Sequence, residues 1–74
     1  MQVHQTEKIE IVLNGETTQV PGGLTLLGLL RVLSIDPARV AVELNRSIVR
    51  KPDWETMQVG PGAQVEVVQF VGGG

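Results

Sequence analysis

Side chains able to perform covalent or acid–base chemistry are few and scattered in this sequence. The candidate nucleophiles are Ser34 and Ser47, and the residue that titrates near neutral pH is His4, in a polar leading segment. Asp53 and Glu55 form a pair of carboxylates, but acidic residues in a charged loop are usually solvated. A nucleophile, a base and oxyanion donors cannot be assembled from these residues, so the sequence does not predict an active site of its own.

A different chemistry is available at Gly72, Gly73 and Gly74, the last residues of the sequence. Glycine has no side chain and maximal backbone freedom, so this run buries nothing and is not expected to build structure. One interpretation is a linker remnant. The other is a thin arm, of about 3.3–3.6 Å per residue, that enters a narrow channel of another protein and presents the α-carboxylate of Gly74 there. Its position directly after a predicted strand favours the second interpretation.

The composition predicts one small folded domain and excludes several classes of site. The chain has 74 residues, of which 42% are hydrophobic and 19% charged, a balance typical of a globular domain. It contains no cysteine, which excludes disulfides, Fe–S clusters and zinc–cysteine sites, and its one histidine cannot form a metal site alone. The net charge of −2 without a basic stripe argues against nucleic-acid binding.

The sequence does not show the pattern of a membrane-spanning helix or of a signal peptide. Apolar runs are far shorter than the roughly 20 residues that a spanning helix needs. Residues 1–7 contain no basic region leading into an apolar one. We therefore expect a cytoplasmic protein without membrane partners, consisting of a flexible N-terminal arm (residues 1–7), a folded domain (residues 8–71) and a glycine tail (residues 72–74).

The first half of the domain predicts a hairpin followed by a helix. Apolar residues alternate from Ile9 to Leu13, and Asn14-Gly15 is a strong hairpin signal because both turn positions need positive φ. Thr25 is a predicted helix N-cap. Leucines at helical spacing follow it, and the helix must end by residue 35 because Asp36 precedes a proline.

The second half predicts another hairpin, an irregular loop and a last strand. Apolar residues alternate again over residues 40–44, Asn45-Arg46 forms a turn, and residues 47–49 form a short strand. Residues 50–58 form an irregular loop, which Trp54 is expected to anchor to the globule. The last strand spans residues 64–69.

Hairpin, helix, hairpin, loop and strand predict an α+β fold of two layers, with a mixed sheet of four to five strands and one helix packed on one face. The residues expected to point inward are Ile9, Ile11, Leu13, Val20, Leu26, Leu30, Leu33, Ile35, Val40, Val42, Leu44, Ile48, Val59, Val65 and Val67.

This order of elements, closed by Gly-Gly, resembles the β-grasp or ubiquitin-like fold, and within it the ThiS family of sulfur carriers in thiamine biosynthesis. The resemblance covers about residues 8–74. It rests on the leucine-rich helix, the run Asp-Pro-Ala-Arg-Val-Ala-Val-Glu-Leu-Asn at 36–45, Val49 and basic residues ahead of Trp54, and residues 62–68 with the glycine end. Two features depart from the family pattern: Pro52 comes later than the usual proline, and Gly72 extends the usual glycine pair to three.

The resemblance implies a reaction at the end of the chain. A ThiF-like adenylyltransferase would adenylate the Gly74 carboxylate with ATP, sulfur would replace the AMP, and a ThiG-like thiazole synthase would take sulfur from the resulting thiocarboxylate. Gly72 and Gly73 would enter the partner's active-site channel. The chain would then be a protein co-substrate and not an enzyme, with no bound cofactor or metal, and ATP would be consumed by the activating enzyme.

For partner docking we expect Val68 and Phe70, which share the outward side of the last predicted strand. The chain has one tryptophan and one phenylalanine, so an exposed Phe70 is a plausible interface anchor. The alternative is that Phe70 folds back over the sheet edge.

Three other functions are compatible with the same pattern. They are a MoaD-like small subunit of molybdopterin synthase, a ubiquitin-like modifier joined to lysines, and a β-grasp interaction module whose glycines have no role. MoaD-like proteins commonly have a proline before the terminal glycines, and residues 69–71 contain none. Blocking or deleting Gly73 and Gly74 would identify the interaction module, since it would keep its function.

Overall fold

The computed structural model describes residues 7–70, and within them five strands form one mixed sheet with one α-helix on one face. The helix, α1 (Leu26–Val32), lies between the second and third strands along the chain. The predicted α+β class with a mixed sheet is confirmed. In chain order the strands are β1 (Lys8–Leu13), β2 (Glu16–Pro21), β3 (Val40–Leu44), β4 (Ser47–Val49) and β5 (Gln64–Gln69).

The last strand of the chain occupies the centre of the sheet. The strand order is β2-β1-β5-β3-β4, with β5 parallel to β1 and antiparallel to β3. The two outer pairs are antiparallel hairpins joined by the turns that the sequence predicted. Asn14 and Gly15 have φ of 50° and 83°, and Asn45 and Arg46 have φ of 51° and 73°. Both turns therefore have the positive φ pair that a two-residue hairpin requires.

Local hydrogen bonds explain where α1 begins and ends. The Thr25 hydroxyl oxygen accepts from the Gly28 N–H at 3.1 Å, which confirms the predicted N-cap. At the other end Ser34 has φ of 60°, and its N–H donates to the Arg31 carbonyl at 3.1 Å. The Ile35 N–H donates to the Leu30 carbonyl at 2.8 Å, which completes a Schellman motif. The helix thus ends before Asp36, as the sequence predicted.

The core lies between α1 and the inner face of the sheet, and one expected core residue is not in it. Ile48 is 74% exposed, so its predicted inward orientation is wrong. The register places Val49 opposite Val42, which is buried, and Ile48 opposite Glu43 on the other face. The buried residues are Ile11, Val20, Leu26, Leu29, Leu30, Val40, Val42, Val49, Trp54, Val59, Ala63 and Val65; Ile9, Leu13, Leu33, Ile35, Leu44 and Val67 are partly buried against them.

Trp54 anchors the loop between β4 and β5, as predicted. Its side chain is buried, and its indole N–H donates to the Val49 carbonyl at 2.8 Å. Its own carbonyl accepts from the Leu27 N–H at 3.0 Å, which joins the loop to the first turn of α1. Lys51 lies in a short 3-10 helix (Lys51–Asp53), and its Nζ is 5.6 Å from the centroid of the indole ring. The loop is therefore part of the packed structure.

Two turn asparagines hold β5 on both of its sides. The Asn14 Oδ1 accepts from the Val67 N–H at 2.8 Å, and the Asn45 Oδ1 accepts from the Gln64 N–H at 2.9 Å. The pairing of β1 with β5 ends at Leu13 and Val65, so the Asn14 side chain satisfies a donor beyond the end of β1. The side chains of the two hairpin turns therefore also fix the register of β5.

Replacing Asn14 tests the contribution of its hydrogen bond to β5. Asn14→Gly keeps the positive φ and removes the acceptor for Val67, so we expect it to lower the free energy of unfolding by about 1–2 kcal/mol. Urea denaturation followed by circular dichroism gives this value. Gly15→Ala serves as a contrast, since it strains the same turn without touching the Val67 N–H. Hydrogen exchange at Val67 that is unchanged in Asn14→Gly would contradict the assignment.

Candidate functional site

The position of β5 determines where the C-terminal end of the chain leaves the fold. The Phe70 N–H donates to the Arg39 carbonyl at 2.8 Å, so the contact with the β3 side continues one residue past the strand. The chain therefore leaves from the middle of the sheet, beside the start of β3, and not from an edge strand. Gly72, Gly73 and Gly74 lie outside the described residues, and their assigned roles stay predictions.

Val68 and Phe70 lie on the outer face, by which we mean the face of the sheet opposite α1. They are 57% and 56% exposed, whereas Val65 is buried on the inner face. This agrees with the alternation expected along the strand. Phe70 does not fold back into a covered position. Their part in partner docking stays a prediction.

The outer face also contains residues that the sequence analysis did not assign to it. Val68 is opposite Ala41 in the register of β5 with β3, and Glu66 is opposite Glu43. Glu43 is in turn opposite Ile48 on β4. Ile48 thus shares the face with Val68, two strands away. Alternation shows only that Ile48 and Val49 face opposite sides, and the pairing with β3 is needed to decide which of them faces the core.

The candidate catalytic side chains lie on separate elements. Ser34 is in the cap at the end of α1, Ser47 begins β4, and Asp53 and Glu55 are exposed residues of the loop after β4. His4 lies outside the described residues. Within residues 7–70 no three histidine, cysteine or acidic residues are grouped to hold a metal ion. The same part of the chain has no helix long and apolar enough to cross a membrane.

A cavity of about 350 Å³ lies beside the inner face of β5, near the end of α1. The Asp36 side chain at its rim accepts from the Ala38 N–H at 3.0 Å and so is used as a cap. No polar or charged side chain of the described residues is buried. The polar side chains that line the cavity, those of Asn14, Ser34, Asp36 and Gln69, are exposed. Its lining residues are Asn14, Ser34, Ile35, Asp36, Val40, Val67 and Gln69.

Within residues 7–70 the arrangement therefore offers an exposed apolar surface around Val68 and Phe70, next to the point where the chain leaves the sheet. The candidate catalytic side chains are not gathered beside it. Exposed apolar groups gathered on one face are typical of a surface that binds another protein.

Comparison with known proteins identifies the family of this chain. The ThiS family profile matches residues 6–74. The crystal structure of the thiamine biosynthesis protein ThiS from Geobacter metallireducens is 30% identical and superimposes with a TM-score of 0.78, covering 89% of this chain and 100% of that one.

Two curated relatives are longer proteins named thiazole synthase. The one from Magnetococcus marinus is 41% identical over 66 residues, and the one from Paramagnetospirillum magneticum is 38% identical over 66 residues. Each match covers 89% of this chain and 20% of the relative, so the chain spans about one-fifth of their length. With a family profile that matches nearly all of its length and the fold of a solved ThiS, the chain belongs to the ThiS family of sulfur carriers in thiamine biosynthesis.

Proposed function

We propose that this chain delivers sulfur to a thiazole synthase from its own C-terminal carboxylate. The Gly74 carboxylate attacks the α-phosphate of ATP in a ThiF-like adenylyltransferase, and pyrophosphate leaves. Sulfide from a donor then attacks the acyl carbon of the adenylate, a C–S bond forms as the bond to AMP breaks, and the products are the thiocarboxylate and AMP. The observation that supports this most directly is the exit of the chain from the central strand, next to the exposed Phe70.

The division of tasks follows from the chemistry of a carboxylate. A carboxylate is a poor electrophile until it is converted to an acyl-adenylate, and that step needs ATP and an enzyme to position it. The carrier itself then needs no catalytic side chain and no bound cofactor. It acts as a co-substrate, and the activating enzyme consumes the ATP.

The length of the end segment fits this role. Four residues follow Phe70, namely Val71 and three glycines. At about 3.3–3.6 Å per residue, four extended residues would span roughly 13–14 Å from Phe70. Glycines without Cβ atoms suit a narrow channel, and the single larger side chain of this segment, that of Val71, directly follows Phe70 in the sequence. Docking through Phe70 and entry of Gly74 into a buried active site are therefore compatible.

The curated relatives support thiazole synthase as the acceptor. A segment similar to this chain forms one-fifth of two proteins named thiazole synthase, which joins the carrier-like unit to that enzyme in a single chain. We infer that the separate carrier binds the corresponding enzyme as a second protein.

The reaction at Gly74 should be visible in the intact mass. After incubation with ATP, a sulfide source and the ThiF-like enzyme, we expect the mass to rise by the difference between one sulfur and one oxygen. Because oxidation of Met1 or Met57 gives nearly the same change, the product must also be trapped with a thiol-selective alkylating reagent. The chain contains no cysteine, so an alkylated C-terminal peptide identifies the thiocarboxylate.

A variant that lacks Gly73 and Gly74 is the matched control and should not be alkylated. An unmodified wild-type chain, with the enzyme shown to be active on another carrier, would contradict the proposed reaction. Retention of the cellular function by the shortened variant would instead favour a plain interaction module.

Phe70→Ala should weaken binding to thiazole synthase by more than about tenfold, since a buried aromatic anchor is typically worth about 2 kcal/mol or more at an interface. Its melting temperature should fall by only a few degrees, because the ring is largely exposed in the free protein. Calorimetric titration and thermal denaturation measure the two effects.

Val32→Ala provides the control for this variant. Val32 is 50% exposed, like Phe70, but it lies on α1, on the other side of the sheet. The Val32→Ala substitution should leave the dissociation constant for thiazole synthase unchanged. If Phe70→Ala lowered the melting temperature strongly and left the dissociation constant nearly unchanged, the docking role of Phe70 would be wrong.

A further inference from the structure

Two glutamates lie directly opposite each other on the outer face. Glu43 of β3 and Glu66 of β5 are partners in the antiparallel register. Like charges at directly opposed positions destabilise a sheet. Within residues 7–70 the structure contains one ion pair, between Arg39 and Asp36, and neither glutamate takes part in it. The fold therefore gains nothing from this pair of charges.

The surroundings of the pair are apolar and exposed. Ile48 is the partner of Glu43 on β4, and Val68 lies two residues after Glu66 on the same face of β5. Ile48 is 74% exposed and Val68 is 57% exposed, and Phe70 continues the row. Exposed apolar groups gathered on one face mark an interaction surface. A partner that covers Ile48 and Val68 must also remove water from the two carboxylates.

We propose that Glu43 and Glu66 select the partner of this face by pairing with a lysine or arginine on the thiazole synthase. The inference rests on the proposed function, because it concerns the enzyme that receives the sulfur. Removing water from a carboxylate costs binding free energy unless a cation or hydrogen-bond donors of the partner replace that water. A partner whose surface is apolar but has no cation opposite Glu43 and Glu66 would bind weakly. The two glutamates therefore provide specificity rather than stability.

A second copy of this chain is the alternative occupant of the outer face. Lys8 also lies on this face, on β1, so two outer faces in contact would bring Lys8 as well as four carboxylates into one interface. The oligomeric state of the wild-type chain therefore distinguishes a basic protein partner from self-association.

The test uses the full chain with the double substitution Glu43→Gln and Glu66→Gln. Glutamine keeps the shape of the side chain and removes the charge. The matched control is Glu16→Gln with Glu55→Gln, which changes the net charge equally at exposed positions outside the outer face. The dissociation constant for thiazole synthase is measured at about 0.05 M and about 0.5 M salt, together with the melting temperature.

We expect the double variant at the outer face to bind about tenfold more weakly at low salt, with a smaller difference at high salt. Its melting temperature should stay equal or rise, because the repulsion between opposed carboxylates is gone. The control should change the dissociation constant by no more than about twofold. Weaker binding with unchanged or higher stability is a combination that a merely structural role would not produce.

Three results would overturn the inference. They are an unchanged dissociation constant for the synthase, a loss of stability that accompanies the loss of binding, and a wild-type dimer in analytical ultracentrifugation that the double variant does not form. The proposed sulfur transfer fails on a different observation, the absence of a thiocarboxylate on wild-type Gly74. The two failures are therefore distinguishable.

Discussion

The insertion of the last strand between β1 and β3 is the constraint on which the rest of the structure depends. β5 provides Val65 to the core, separates the two hairpins and fixes the place where the chain leaves the sheet. The hydrogen bond from the Val67 N–H to Asn14 joins residues 53 positions apart. Contacts of this sequence separation form only after a large loss of chain entropy. The end for which we propose the sulfur chemistry thus follows the element whose placement requires the whole fold.

Local features of the sequence were sufficient to predict most elements. Asn14-Gly15 and Asn45-Arg46 fix two hairpin turns through their backbone angles, and Thr25 fixes the start of the helix through its hydroxyl. These signals act within a few residues, so they can be identified without knowing the fold. Ile48 could not be placed in this way. A strand of three residues has too little alternation to define its inner face, and the pairing of Val49 with Val42 determines it instead.

The features on which the proposed docking depends differ in how far they could be predicted from the sequence. Alternation along β5 was enough to place Val68 and Phe70 on one side, because the strand is six residues long. The opposition of Glu43 and Glu66 could not be predicted, since it requires the register between strands that are distant along the chain. The same holds for the hydrogen bonds from the asparagine side chains to β5. Asparagine at the first position of both turns was a signal, but it also has the simpler explanation of positive φ.

The inner face of the sheet stabilises the fold, whereas the outer face contains the features on which the proposed recognition depends. The inner face is apolar and covered by α1, and its alternation follows the usual rule for a half-buried sheet. The outer face has the unfavourable features: an isoleucine and a phenylalanine in water, and two carboxylates opposite each other. Natural proteins tolerate local costs of this kind where function requires them. Their concentration on one face, beside the point where the chain leaves the sheet, is the pattern expected of a small protein that binds a partner through this face.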